Sequence, residues 1–206
     1  MTAKKSPLPP CSVVIQAGGA SRRMRRDKGL LPFRGRPLTG WILEQVQGFG
    51  AETLIISNTP DSYQKFGLPV YPDVLPRYGA LGGLYSALHH ARHDFVVVLA
   101  CDMPFVNLPL LQHLCSLAPG HDIVAPRLNA RTPAEPFRAV YRRDLLPALR
   151  YALDAGELRI GAFLEMVDTH YVPEADLRRF DPDLRSFRNI NTPADLEAAL
   201  RESAGE

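Results

Sequence analysis

The stretch that decides the fold is SVVIQAGGASRRMRRDKG, at residues 12–29. Its first five residues, SVVIQ, form the short apolar run typical of a buried strand, and Gly18 and Gly19 follow almost directly. Glycines carry no side chain, so the backbone here can approach a phosphate closely and point several N–H groups into one concavity. The alternative is a tight strand-to-helix turn without a ligand, for which the two glycines alone would be sufficient. The preceding strand and the basic run up to Lys28 favour phosphate binding.

Positive charge is concentrated in this part of the chain. The 206 residues contain 24 Lys and Arg against 22 Asp and Glu, a net charge of +2. Residues 22–36 alone carry +6, which leaves −4 on the rest. Such a focused charge indicates a local anionic ligand such as a polyphosphate, with a solvated arginine-rich loop as the alternative. The nearly neutral total argues against a general nucleic-acid binder.

Composition also limits the cellular setting. Three cysteines, Cys11, Cys101 and Cys115, are too few for a disulfide framework and are odd in number, so we expect reduced thiols and a cytoplasmic protein. The sequence contains no apolar run of about 18 residues, so no membrane-spanning helix is predicted. The start, MTAKKSPLPPC, lacks the apolar core of a signal peptide. We expect a loose N-terminal tail at 1–11 and a single domain at 12–203.

Short apolar runs alternate with helical patterns along the chain. Strands are predicted at 12–16, 53–57, 68–72, 95–100, 122–126, 138–142 and 169–173, and helices at 41–49, 61–66, 81–91, 108–117, 143–154, 159–166 and 193–203, the last with Thr192 as its N-cap. This alternation predicts parallel βαβ units in a three-layer α/β sandwich with a mostly parallel central sheet. Ligands bind beyond the carboxyl ends of such strands, so we expect the chemistry just after Gln16, Ser57 and Ala100.

An acidic residue, Asp102, follows the most apolar of the predicted strands in LACDMP at 99–104. A carboxylate in this position can hold Mg²⁺, which prefers oxygen ligands and often bridges substrate phosphates. The alternative is a residue that caps the helix near Asn107 or forms the turn before Pro104. Together with the glycine-rich loop, the position favours a metal ligand.

Polar residues follow other predicted elements. Asn58 comes after the second strand and Asp73 after the third, at the edge where a ligand is expected, although both are also typical Asx-turn residues. Asn189 and Asn191 stand at i and i+2, so in an extended segment they point to the same side. Turn and capping chemistry ahead of Thr192 is the alternative for this pair.

The basic loop carries a family resemblance. AGGASRRM at 17–24 and DKGLLPFRGRPL at 27–38 resemble the signature loop of the molybdenum cofactor guanylyltransferases, which are nucleotidyltransferases with a Rossmann-like core. Further segments resemble the same family in order: YGALGGLYSAL at 78–88, VVVLACDMPFV at 96–106, EPFRAVYRR at 135–143 and NINTPADLEAA at 189–199. The resemblance spans about residues 12–200.

This resemblance implies a fold of the nucleotide-diphospho-sugar transferase type and a Mg²⁺-dependent transfer of GMP from GTP to the phosphate of molybdopterin cofactor, with release of pyrophosphate. It implies that the residues fall into three groups: for nucleotide binding Gln16, Ala17, Gly18, Gly19, Lys28, Asn58, Asp73 and Asp102; for catalysis Arg23, Lys28 and Asp102, the last also holding Mg²⁺; for the acceptor Asn189 and Asn191. The implied partners are GTP and molybdopterin cofactor, with transient contacts to cofactor-synthesis proteins and apo-molybdoenzymes, and neither nucleic acid nor membrane.

The sequence departs from the family pattern at four places, one of which is a slight shortening of the loop around Arg26. Gln16 stands where the family usually has Leu, Arg25 stands where a glycine usually follows the Arg-Met pair, and GALGG at 79–83 replaces Gly-Pro-Leu-Ala-Gly. Two alternatives stay open: a molybdenum cofactor cytidylyltransferase, and a non-catalytic carrier that binds GTP and cofactor. In the cytidylyltransferase branch the loop is typically Ala-Ala-Gly, whereas this chain has Ala17-Gly18-Gly19. The extra glycine at position 18 leaves more room beside the base, as a purine would need. A carrier would release no pyrophosphate.

Overall fold

A computed structural model describes residues 8–17, 27–129 and 134–203. The strands in these ranges are β1 Cys11–Gln16, β2 Pro32–Phe33, β3 Arg36–Pro37, β4 Glu52–Ile56, β5 Val70–Tyr71, β6 Phe95–Ala100, β7 Ile123–Arg127, β8 Arg138–Arg142 and β9 Thr169–Pro173. The α-helices are α1 Leu38–Gln45, α2 Gly79–His90, α3 Leu108–Leu117, α4 Leu146–Asp154, α5 Ile160–Met166, α6 Glu174–Leu177 and α7 Pro193–Ser203. Across the described ranges, every helix is too short or too polar to cross a lipid bilayer.

Seven strands form one sheet in the order β5-β4-β1-β6-β8-β7-β9. The strand β1 lies near the middle and pairs in parallel with both β4 and β6. Only β8 is reversed, because it runs antiparallel to β6 on one side and to β7 on the other. The outer strand β9 is again parallel to β7. The mostly parallel sheet predicted from the sequence is therefore confirmed.

Alternating side chains of the central strands supply two separate cores. Val13 and Ile15 face one side of the sheet, where they belong to the same cluster as apolar residues of α1 and α3. Val14 faces the other side, in the cluster that includes residues of α2, α4 and α5. Since successive residues of a strand point to opposite faces, one apolar run serves both layers. The result is the predicted three-layer sandwich.

A third, smaller apolar cluster lies around the short hairpin β2–β3. Phe33 is fully buried there and makes edge contacts with Trp41 and Phe105, with ring centroids 5.5 and 6.2 Å apart. Ile190 and Ala199 of the C-terminal segment complete it. The cluster thus fastens α7 to the segment that follows the basic loop.

Several predicted boundaries were wrong. The helix predicted at 61–66 is two 3₁₀ turns, Pro60–Ser62 and Gln64–Phe66, and the second ends at Gly67 with a φ of 67°. The helix predicted at 41–49 is α1, which begins three residues earlier and ends at Gln45. The strand predicted at 68–72 is reduced to the two residues of β5, flanked by prolines that cannot donate to a ladder. The hairpin β2–β3 was not predicted.

We expect Phe163→Ala to lower the free energy of unfolding by about 3–5 kcal/mol. Phe163 in α5 is fully buried, so truncation removes apolar contacts and leaves a cavity beneath the sheet. Urea unfolding followed by circular dichroism would measure the change. Met166→Ala, at a 56% exposed position of the same helix, is the matched control and should shift the value by less than about 0.5 kcal/mol. Equal losses in both variants would contradict the assignment of Phe163 to the core.

Candidate functional site

The carboxyl ends of β4, β1 and β6 lie side by side at one edge of the sheet. Gln16 pairs with Ile56 in β4 and with Ala100 in β6, so the three strands end in register. Two further bonds extend the ladders: Ala17 N–H donates to the Ile56 carbonyl at 2.9 Å, and Cys101 N–H donates to the Gln16 carbonyl at 3.1 Å. The segments that follow these three strands therefore begin side by side at the same edge of the sheet.

Three polar side chains meet at this edge, and we call them the Lys28 cluster. Lys28 Nζ donates a hydrogen bond to Asp102 Oδ2 at 3.0 Å and another to Asn191 Oδ1 at 2.8 Å. The side chains of Lys28 and Asp102 are 18% and 23% exposed, so water screens the pair only in part. Two unit charges at this distance attract by about 5 kcal/mol at an effective dielectric of 20, before desolvation. The cluster joins the basic loop to the predicted metal ligand and to one predicted acceptor residue.

Asp27 fixes the backbone next to Lys28. Its Oδ1 accepts hydrogen bonds from the Tyr63 hydroxyl at 2.6 Å and from Gly29 N–H at 3.1 Å, while its Oδ2 accepts one from Thr59 Oγ1 at 3.2 Å. Burial, and secondly the hydrogen bond to Asp27, raises the pKa of Tyr63 well above its usual range. The hydroxyl therefore remains protonated and acts as a donor. A Cβ at Gly29 would lie 2.4 Å from Tyr63 Oη, so only glycine fits beneath Lys28. Neither Asp27 nor Tyr63 was predicted from the sequence as a functional residue.

Asn58 and Asp73 bind each other across the ends of β4 and β5. Asn58 Nδ2 donates to Asp73 Oδ2 at 2.7 Å, and Asp73 N–H donates to Asn58 Oδ1 at 3.0 Å. Asp73 Oδ1 is buried and accepts no hydrogen bond from any described residue. The two predicted nucleoside-binding residues are thus one unit, and an acceptor oxygen of that unit is left without a donor.

The acceptor candidates lie on the segment that enters α7. Ile190 N–H, between Asn189 and Asn191, donates to the Asp102 carbonyl at 2.8 Å, which brings this segment against the turn after β6. Asp195 Oδ2 accepts the backbone N–H of Asn191 at 2.9 Å, and this bond is the largest cause of the lowered pKa of Asp195. Asn189 is exposed and lines a groove of about 340 Å³ beside Phe105.

The N-cap predicted for the last helix is confirmed. Thr192 Oγ1 accepts a hydrogen bond from Asp195 N–H at 3.2 Å, and Asp195 Oδ2 accepts one from Thr192 N–H at 2.8 Å. These reciprocal bonds satisfy N–H groups at the start of α7 that have no partner within the helix. They fix the conformation of the segment that contains Asn191 and leads into α7.

The remaining predicted residues fall into two groups. Gln16 is buried, and its Nε2 would lie 2.4 Å from a Cβ at Gly83, so its side chain packs closely against α2. Ala17 is buried in the ladder at the end of β1. Gly18, Gly19 and Arg23 lie outside the described residues.

A buried cation near Asp102 was also missed from the sequence. Arg138 opens β8 and is fully buried, and its Nη2 donates to the Met103 carbonyl at 3.0 Å. Burial lowers its pKa to about 10, and burial also raises the pKa of the neighbouring carboxyl of Glu135. An arginine at the start of an apolar strand run, in RAVYR at 138–142, was the available signal.

The model for the MobA-like NTP transferase domain matches residues 13–172. The chain belongs to this family. A relative from Syntrophotalea carbinolica named molybdenum cofactor guanylyltransferase is 37% identical over 194 residues, which cover 94% of this chain and 92% of the relative. A probable molybdenum cofactor guanylyltransferase from Methanosarcina mazei is 36% identical over 200 residues, covering 90% of this chain and 88% of the relative.

A solved structure agrees with this fold. The crystal structure of molybdopterin-guanine dinucleotide biosynthesis protein A from Archaeoglobus fulgidus superposes with a TM-score of 0.81 at 30% identity, covering 95% of this chain and 100% of that one. This chain, a MobA-like protein, is therefore a nucleotidyltransferase. Its fold is of the nucleotide-diphospho-sugar transferase type, as the sequence resemblance implied.

We expect Tyr63→Phe to lower the free energy of unfolding by about 1.5–3 kcal/mol, because it removes one hydrogen bond to the Asp27 carboxylate and adds no bulk. Urea unfolding would measure the loss. Tyr151→Phe, at a 72% exposed position, is the control and should change the value by less than about 0.5 kcal/mol. If Tyr63→Phe behaved like the control, the Tyr63–Asp27 bond would contribute nothing to holding the Lys28 backbone.

Proposed function

We propose that this MobA-like protein transfers GMP from GTP to the terminal phosphate of molybdopterin cofactor and releases pyrophosphate. The observation that carries the proposal is the Lys28 cluster, in which one cation lies within hydrogen-bond distance of both a carboxylate and an acceptor-side amide. The names of the relatives support guanine as the base and molybdopterin as the acceptor.

Asp102 suits Mg²⁺, which we propose as the cofactor. Among the described residues no three His, Cys, Asp or Glu side chains cluster as a ready metal site. Mg²⁺ does not need such a cage, because it is usually held by one or two carboxylates together with substrate phosphates and water. When bound, Mg²⁺ would offset triphosphate charge and polarise the reacting phosphate. The partly exposed carboxylate of Asp102 has the right chemistry and lies at the ligand edge of the sheet.

Lys28 and the glycine-rich loop would hold the triphosphate. The hydrogen bond from Gly29 N–H to Asp27 fixes the backbone next to Lys28, and the Lys28 ammonium already donates to the Asp102 carboxylate. The ammonium could instead donate these hydrogen bonds to phosphate oxygens. Backbone N–H groups near Gly18 and Gly19 and the side chain of Arg23 would add further donors. Such preorganised donors act on charge that develops during the transfer.

The Asn58–Asp73 unit would read the base. Guanine presents N1–H and an exocyclic N2–H₂, and a carboxylate oxygen accepts such donors well. Asp73 Oδ1 has no donor in the described chain, and a buried acceptor without a partner costs about 1–3 kcal/mol. A base that supplied the missing donor would recover that cost, which is enough for roughly a 10- to 100-fold preference.

The acceptor would bind on the side of Asn189 and Asn191. Its terminal phosphate is an anion near neutral pH, so attack on the α-phosphorus needs no general base. The protein would contribute by positioning, since Asn191 is bonded to the same ammonium that would hold the donor phosphates. Transient contacts with cofactor-synthesis proteins and apo-molybdoenzymes belong to the same proposal. We place the reaction in the cytoplasm, with which the free thiols of all three cysteines agree.

We expect Asp102→Asn to lower kcat for pyrophosphate release by at least about 100-fold, because the amide is neutral and a poor Mg²⁺ ligand. Release from GTP and molybdopterin would be followed with a coupled pyrophosphate assay. Asp144→Asn, in an exposed ion pair with Arg142, is the control and should keep wild-type turnover. Wild-type kcat in Asp102→Asn would refute the assigned role of Asp102.

We expect GTP with Mg²⁺ at a hundred times Kd to raise the melting temperature by about 5–10 °C. Differential scanning fluorimetry with GTP, CTP and ATP, each with and without Mg²⁺, would measure the shift without the unstable pterin. A rise specific to CTP would point instead to a cytidylyltransferase. A rise with GTP but no pyrophosphate release in the complete reaction would point to a non-catalytic carrier.

A further inference from the structure

Arg138 is the largest fully buried side chain in the described part of the chain. It stands opposite Leu99 in the antiparallel ladder between β6 and β8, so its strand begins where β6 ends. Its side chain makes one hydrogen bond to the described residues, from Nη2 to the Met103 carbonyl at 3.0 Å. Nε and Nη1 are buried and have no acceptor within the described ranges. A pKa of about 10 keeps the guanidinium charged at neutral pH.

A buried cation in this place is weak evidence for a purely stabilising role. Taking a charge out of water is costly, and the cost is offset only when hydrogen bonds and counter-charges are complete. Two of the three guanidinium nitrogens have no acceptor among the described residues. Replacing a whole buried ion pair with apolar side chains is often neutral or stabilising, whereas removing one partner alone is destabilising. The incomplete pairing of Arg138 therefore points to a role in addition to stabilising the fold.

The surroundings of Arg138 indicate such a role. Three carboxylates interact with it electrostatically, Glu135 most strongly, then Asp181 and Asp102. Asp181 is buried and accepts the backbone N–H and the hydroxyl of Ser186, so it orders the loop that leads toward the acceptor-side segment. Arg138 thus lies where the loop before β8, the turn after β6 and the approach to α7 converge.

The turn after β6 is held from two sides. The carbonyl of Asp102 accepts a hydrogen bond from Ile190 N–H at 2.8 Å, and the carbonyl of the next residue, Met103, accepts the one from Arg138. The first bond ties the turn to the acceptor-side segment, and the second ties it to the sheet. Together they set the direction in which the Asp102 carboxylate leaves the backbone.

We propose that Arg138 is a positioning residue for nucleotidyl transfer: its guanidinium fixes the Asp102–Met103 turn and thereby keeps Asp102 in register with Lys28 and Asn191. The inference rests on the proposed function only in naming the reaction. Residues that orient a metal ligand typically change metal affinity or activity by 10- to 100-fold when removed. The Asn58–Asp73 unit lies on the far side of β1, so binding of the base should depend on Arg138 far less.

The test compares Arg138→Met with Arg138→Lys. Methionine fills similar space without a charge or a donor, whereas lysine retains the charge and one donor for the Met103 carbonyl. We expect Arg138→Met to lower the melting temperature, because Glu135 and Asp181 lose a buried counter-charge. We also expect it to lower kcat per folded molecule for pyrophosphate release by about 10- to 100-fold and to change the KM for GTP by less than about threefold. Arg138→Lys should recover most of the kcat. Arg142→Met, on the exposed end of the same strand, should resemble wild type.

A second measurement does not depend on activity. Native-state hydrogen exchange should show the Ile190 amide, which donates to Asp102, exchanging at least about tenfold faster in Arg138→Met, because the turn that accepts its bond is loosened. The Ala17 amide, which donates to Ile56, should be unaffected. This comparison stands even if the wild-type protein releases no pyrophosphate, a result that would overturn the proposed function and not the role of Arg138.

Two results would overturn the inference. Wild-type kcat and unchanged Ile190 exchange in Arg138→Met would show that the turn does not need the guanidinium. A lower melting temperature, with kcat per folded molecule unchanged, would show that Arg138 serves the fold alone.

Discussion

The hydrogen bonds that join β1 to β4 on one side and to β6 on the other are the constraint on which the site depends. They end three strands at one level, with Gln16 between Ile56 and Ala100. All three strands run in the same direction, so the chain leaves each of them at the same edge. A shift of one residue in either ladder would move Asp102 relative to Lys28 and turn the apolar side chains of a strand to the wrong face.

At that edge the protein brings opposite charges together and shields them in part from bulk water. Lys28 is placed by Asp27, which is itself bound by the buried hydroxyl of Tyr63. Asp102 is placed by a turn whose carbonyls are bonded to Ile190 and Arg138. Both members of the central ion pair therefore depend on hydrogen bonds made by residues outside the pair. Groups fixed in this way need little reorganisation during phosphate transfer, which is how preorganised sites lower a barrier.

Much of this arrangement was predictable, and the parts that were not have a common cause. The apolar runs predicted most of the strands and helices, and the parallel sheet predicted that the polar residues after β1, β4 and β6 lie at one edge. Tyr63 was missed because its partner Asp27 is 36 positions away and its own segment looked like an ordinary short helix. Arg138 was missed because a basic residue beside an apolar run usually marks a strand end in water, and only the packing of β8 against β6 buries it.

The sequence by itself determined the alternation of strands and helices, the focused positive charge and the identity of the polar residues that follow the strands. These depend on local periodicity and composition, which can be read from neighbouring residues. The tertiary structure decided the reversed direction of β8, the pairing of Asn58 with Asp73 and the meeting of Lys28 with Asp102 and Asn191. Those contacts join residues up to 163 positions apart, and their geometry is set by the packing of the whole sheet.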